Sequence, residues 1–155
     1  MSAIWPFGRW RRRASFIRVA AFFKVDLDVG LFLEGVESHI IRLLVDVRFA
    51  TPTGLSDKYR AIIDPGSPSC LIPRFIWRVA EHRILVPRPL PLSGIGGGAV
   101  AAPFGEVTLI VEDDVATSPP LTIRAFLLPD DSEPLLLGFE DFLTTTILHC
   151  DLRTA

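Results

Sequence analysis

From Phe23 to Gly30 the chain alternates. Phe23, Val25, Leu27 and Val29 interleave with Lys24, Asp26, Asp28 and Gly30. A period of two predicts a strand with one buried face. Residues 40 to 49 form a more apolar run, closed by the turn residues Thr51-Pro52-Thr53-Gly54. Tyr59 to Asp64 is the next strand and the natural hairpin partner of that run. Cys70 to Ile72 is a short apolar strand after an Asp-Pro-Gly turn.

Arg74 to Arg83 changes period. Phe75, Ile76, Val79 and Ala80 share a helical face, with Arg74, Arg78 and Glu81 toward water. Pro73 suits the first turn of such a helix. Pro87, Pro89 and Pro91 then predict an extended linker, and Ser93 to Gly98 the most flexible point of the chain. Strands follow at Gly105 to Asp113 and Leu121 to Leu128. Pro134 to Leu137 is a short buried strand ending at Gly138. Phe139 to Leu143 suits one helical turn, and Thr145 to Leu152 a closing strand. The expected fold is mainly β: a small closed barrel with one or two short helices.

Composition agrees with this. Of 155 residues, 49% are apolar and 22% charged, which belongs to a globular chain rather than a disordered one. Thirteen prolines and eleven glycines suit many turns. A net charge of −2 gives no global field toward nucleic acid or an anionic membrane. Residues 1–21 read as a basic and apolar tail before a single domain at 22–155. Trp5 to Arg13 followed by Ala14 to Phe23 mimics a signal peptide, but Arg18 interrupts the apolar run. It is too short to span a bilayer. The expected location is cytoplasmic, with targeting or surface attachment through the N-terminal segment as the alternative.

The chemistry concentrates at Ala61-Ile62-Ile63-Asp64-Pro65-Gly66-Ser67-Pro68-Ser69. An apolar strand delivers one carboxylate into a tight turn. Gly66 can bring a backbone N–H close, and Ser67 has a hydroxyl able to reach the outer carboxylate oxygen. Two carboxylates sharing one proton can hold and activate a water for amide hydrolysis, because like charges so close cannot both ionise. A second Asp-x-Gly, Asp28-Val29-Gly30, lacks a small residue after its glycine and reads as a strand end.

Three segments in order resemble the retropepsin-like aspartic peptidases, the single-lobe group that includes retroviral proteases. Ile62 to Ser67 resembles the catalytic turn. Gly94-Ile95-Gly96-Gly97 resembles the substrate-covering flap. Leu135-Leu136-Leu137-Gly138 with Phe139-Glu140-Asp141-Phe142-Leu143 resembles the strand and short helix near the family's C-terminus. The likeness covers roughly residues 22 to 152 and implies an acid-protease barrel lobe. It also implies a homodimer, with Asp64 of each copy meeting on a two-fold axis. Thr145 to Leu152, joined by residues 22 to 30, would build the dimer sheet. The expected partner is a peptide or protein substrate, bound under the flap. Pro65 departs from the family: the usual hydroxyl there reaches across the dimer axis, and proline has neither hydroxyl nor N–H. The other reading is therefore a lobe that binds peptides or proteins without cleaving them, or a β-barrel with no site here.

The remaining candidates are weaker. Cys70 and Cys150 are too few for a disulfide framework and read as small hydrophobes. His39, His82 and His149 lack metal spacing, and Asp113-Asp114 and Asp130-Asp131 read as solvated turns. Nothing in the residues calls for a cofactor, a metal or a nucleic acid.

Overall fold

The computed structural model describes residues 17–92 and 100–149. In chain order the elements are β1 (Phe22–Leu27), α1 (Val29–Leu33), β2 (His39–Thr51), β3 (Gly54–Leu55), β4 (Tyr59–Ile63) and β5 (Cys70–Ile72). Then come α2 (Arg74–Trp77), β6 (His82–Leu92), β7 (Val100–Glu112), β8 (Leu121–Leu127), β9 (Leu136–Leu137) and a 3₁₀ turn at Leu143–Thr145. The chain is mainly β, and six strands close into a barrel. Their order is β2-β4-β9-β5-β8-β7, and antiparallel pairing of β7 with β2 completes the ring.

Alternation builds the core. Along β2, Val45, Val47 and Phe49 point inward and are buried, while Asp46 and Arg48 between them reach partial solvent. Val107, Leu109 and Val111 of β7, and Ile123, Ala125 and Leu127 of β8, meet them in one cluster. Arg48 donates to Glu112 at 2.8 Å across the closing seam. Lys58 lies 3.4 Å from the same carboxylate. The side-chain hydrogen bond from Arg48 holds the Glu112 carboxyl below its usual range, against some opposition from burial.

One side of β2 is shared. β7 covers its Asp46 to Phe49 stretch, and β1 takes over at Leu44 and runs to His39. On the other side, pairing with β4 stops at Leu43↔Ile63. Among the described residues, His39 to Arg42 therefore run past the end of the barrel with β1 alone.

Four sequence expectations change. The first strand ends at Leu27, and Asp28 is a helix N-cap: its Oδ1 accepts from Leu31 N at 3.1 Å. The helix expected at 74–83 stops after Trp77. Glu81 N must bond Ala50 O at 2.8 Å so that β6 can begin at His82, and Phe75 and Val79 of the expected apolar face are half exposed. The three-proline segment is part of edge strand β6, with register shifts around Val86, and not a linker. An edge is where prolines with no N–H to donate are tolerated. Finally, the described part of the expected closing strand, 145–149, forms none. The Thr145 hydroxyl instead turns back to donate to Asp141 O at 2.7 Å.

Candidate functional site

The acid-bearing turn is the link between two strands that have a third inserted between them. β4 ends at Ile63, residues 64–69 turn, and β5 leaves at Cys70. β9 lies between them, parallel to β4 (Ile63↔Leu137) and antiparallel to β5 (Leu71↔Leu136). Ile62 N donates to Leu135 O at 2.9 Å and Asp64 N to Leu137 O at 3.0 Å. The main chain of Asp64 is thus fixed by a segment far away in sequence. Its half-buried carboxylate accepts from Gly66 N at 2.8 Å through Oδ1. Ser67 N closes the turn onto Asp64 O at 3.2 Å.

Gly138 holds the underside. Phe139 N donates to Ser67 O at 2.8 Å and Glu140 N to Pro68 O at 3.0 Å. A Cβ at position 138 would collide with the Ser69 carbonyl oxygen and lie 2.8 Å from that of Ser67. Only glycine permits this approach. Gly138 N also donates to Cys70 Sγ at 3.3 Å. Burial pushes the Cys70 thiol up to about 11, with Asp141 and Glu140 adding to the rise and the Gly138 N–H opposing it. Cys70 is therefore a protonated packing residue and no nucleophile at neutral pH.

A cationic clamp follows. Arg124 on β8 donates from Nε to Asp141 Oδ2 at 2.7 Å, and from one terminal nitrogen to Asp141 Oδ1 at 3.1 Å and Glu140 Oε1 at 2.6 Å. Its backbone N–H reaches Asp141 as well, at 3.0 Å. Asp141 adopts φ 64°, a left-handed conformation that Asp tolerates better than most side chains. The Arg124 hydrogen bond holds the Asp141 carboxyl below its ordinary value, and Asp141 in turn raises Arg124. Sequence reasoning missed this clamp. The acidic pair Glu140-Asp141 beside Gly138 was visible, but no spacing rule links it to Arg124.

The named residues fare differently. Asp64, Gly66 and Ser67 share one turn, braced by Leu135 to Gly138. Pro65 is exposed. The Ser67 hydroxyl donates to Ser69 O at 2.8 Å, not to Asp64, so its expected role on the outer carboxylate oxygen is not realised. A shallow depression of about 460 Å³ runs over the outside of the turn, lined by Pro65 to Pro68 with Phe139, Glu140 and Thr144. Gly94 to Gly97 lie outside the described residues. The residues that flank them are described. Leu92 pairs with Val100, and both pack against the buried cluster of Leu71, Ala102 and Leu128, in which Leu71 lies on β5, the strand that leaves the turn.

Asp113 and Asp130 cap turns through backbone N–H groups, as solvated turns would: Asp113 accepts from Val115 and Ala116, and Asp130 from Ser132. Among the described residues no three His, Cys, Asp or Glu side chains gather as a metal site would require. No helix among them is long and apolar enough to cross a membrane. Compared with known proteins, the sequence matches no family model and no curated relative. The turn thus offers one oriented carboxylate, that of Asp64, at the barrel end. Among the described residues none forms an ion pair or side-chain hydrogen bond with it.

Proposed function

We propose that the protein is an aspartic endopeptidase whose site forms when two copies bring their Asp64 carboxylates together. One carboxylate takes a proton from a water held between the pair. That water adds to the peptide carbonyl carbon while the other carboxyl, protonated, gives its proton to the carbonyl oxygen. The first carboxyl then protonates the amide nitrogen and the C–N bond breaks. A hydroxyl of the tetrahedral intermediate returns its proton to the second carboxylate, so that the pair again shares one proton. Gly66 N orients each carboxylate. The loop carrying Gly94 to Gly97 covers an extended peptide and bonds its backbone, as in strand addition. The observation that carries this reading is the insertion of β9 between the two strands of the acid turn. It places Gly138 directly beneath Ser67 and Ser69 and so joins two of the three segments that resemble retropepsin-like enzymes. A turn serving only to reverse the chain needs no such brace.

Pro65 supports a second reading, a lobe that binds peptides without cleaving them. It is exposed and has no N–H or hydroxyl to offer a facing turn. The loss is about 1 kcal/mol for each missing hydrogen bond. Incubation with a mixed peptide pool from acidic to neutral pH separates the two. Cleavage by the parent that vanishes in Asp64→Asn upholds the peptidase. A verified dimer that cuts nothing at any pH removes it, and activity gained in Pro65→Thr then identifies the binding lobe as a lapsed enzyme.

A further inference from the structure

The inward stripe of β2 does not stop where the barrel stops. Leu43, Val45, Val47 and Phe49 line the interior, and Ile41 continues the same face beyond it, 58% exposed. Its neighbour across the hairpin is Val25 and, two pairs further on the same face, Leu27 lies opposite His39. α1 then adds Leu31, Phe32 and Leu33 and has no buried residue at all. Nine of the nineteen exposed large apolar side chains among the described residues fall between Val25 and Ile41. Ile40 faces the other way with Asp26, so the exposed face shared by Val25, Leu27 and Ile41 is the candidate contact surface.

Its position narrows the occupant. β2 and β4 are antiparallel, and their last pair is Leu43↔Ile63. The arm therefore projects from the Asp64 end of the barrel, roughly 13 Å past Ile63 for four extended residues. On the β4 side, His39 to Arg42 have no strand against them among the described residues, so they present a free edge beside the acid turn. On the opposite face Lys24 and Arg42 lie 3.0 and 3.1 Å from Asp26, which offsets one of the two positive charges and leaves a single one, too little to hold a polyanion or an anionic lipid surface. The described chain enters at the other end of β1, where Ala20 N bonds Asp113.

We infer that the β1–α1–β2 arm is the dimer contact: it docks on a second copy of this chain and brings the partner's acid turn to Asp64. The inference rests on the peptidase reading for its choice of partner. The contact is isologous, each arm covering the other copy's turn end.

Sedimentation velocity on the full chain tests it, with Leu33→Asp, Ile41→Glu and, as a control outside the arm, Val115→Asp. The parent and the control sediment as dimers. Each arm variant keeps the parent's circular dichroism and raises the dimer Kd by roughly 30-fold or more. A parent that stays monomeric at its highest attainable concentration overturns the inference. So do arm variants that remain dimeric, and so does a dimer that forms only after residues 2–16 are deleted, which would mean that the chain's own N-terminal segment covers the arm. Peptide cleavage read on the same samples separates the two proposals. A dimer split by the arm variants but inactive as parent keeps the arm and removes the peptidase. Cleavage and dimer that both survive the arm variants do the reverse.

Discussion

The two ends of β2 obey the same alternation and meet opposite fates. From Val45 to Phe49 every inward residue is at most 3% exposed, enclosed by β4 on one side and β7 on the other. From His39 to Ile41 the strand keeps its pairing with β1 but has no layer above it among the described residues, and its side chains are exposed. Periodicity thus reports which residues can be buried. Burial itself depends on a second layer, which in the barrel comes from strands far along the chain. The acid turn sits at the boundary between these two regimes.

Substitutions that differ only in regime sharpen this contrast. Phe49→Ala empties the enclosed half and should cost about 4 kcal/mol in urea unfolding. A loss under about 1 kcal/mol would mean that the barrel wall is as loose as the arm. Gly138→Ala probes the boundary. Its methyl meets backbone carbonyls that cannot swing aside, and a loss of about 3 kcal/mol is expected, at the upper end for overpacking. Amides of residues 64 to 69 should then exchange faster with deuterium than those of β7.

Asp141→Asn removes the charge but keeps a residue that tolerates positive φ. The folded Asp141 carboxyl lies below its ordinary 3.8, so its contribution is complete above that pH and fades as pH falls through the lower folded value. Since Arg124 is 42% exposed, the contribution is under about 1 kcal/mol. The parent should lose more stability than the variant between pH 5 and 2, values that bracket the titration. Parallel pH profiles would show that the clamp carries no electrostatic stability. Leu33→Asp, at the far end of the arm, should move monomer stability by no more than about 0.5 kcal/mol, measured dilute so that association adds nothing. A large loss there would mean that α1 packs more closely than its exposure indicates.

The sequence conveyed the strands best where both neighbours were also strands. β4, β5 and β8 lie within a residue of their expected spans, because Val/Ile/Leu runs bounded by Pro and Gly leave few alternatives. Errors arose where period competed with position. Phe75 to Ala80 has a good helical face, but β6 had to start at His82 to pair with Val107, and tertiary pairing prevailed. Alternation continues through Val29 and so predicts a strand end at Asp28, which in the structure is a helix cap. The cap it forms needs only a carboxylate three residues before a free N–H. At the candidate site, Asp64, Gly66 and Gly138 were legible as motif pieces. The Arg124 clamp was not, since it joins a strand midpoint to a turn 17 positions away through the Asp141 carboxylate, which accepts from both the side chain and the backbone N–H of Arg124.

The insertion of β9 also sets an order of events in time. Ile63 cannot complete its pairing until Leu137, 74 positions later, has left the ribosome. A contact so distant in sequence forms slowly, because a long loop must close before any hydrogen bond rewards it. Until then the turn bearing Asp64 lacks the bond from its own N–H to Leu137 O and has only the local contact of Gly66 N to shape it. Strands β2 and β4 can form their hairpin early, and the barrel wall can follow. The proposed chemistry therefore becomes available only after most of the described chain has been synthesised, so a nascent fragment carries the acid on a turn that nothing yet fixes to the barrel.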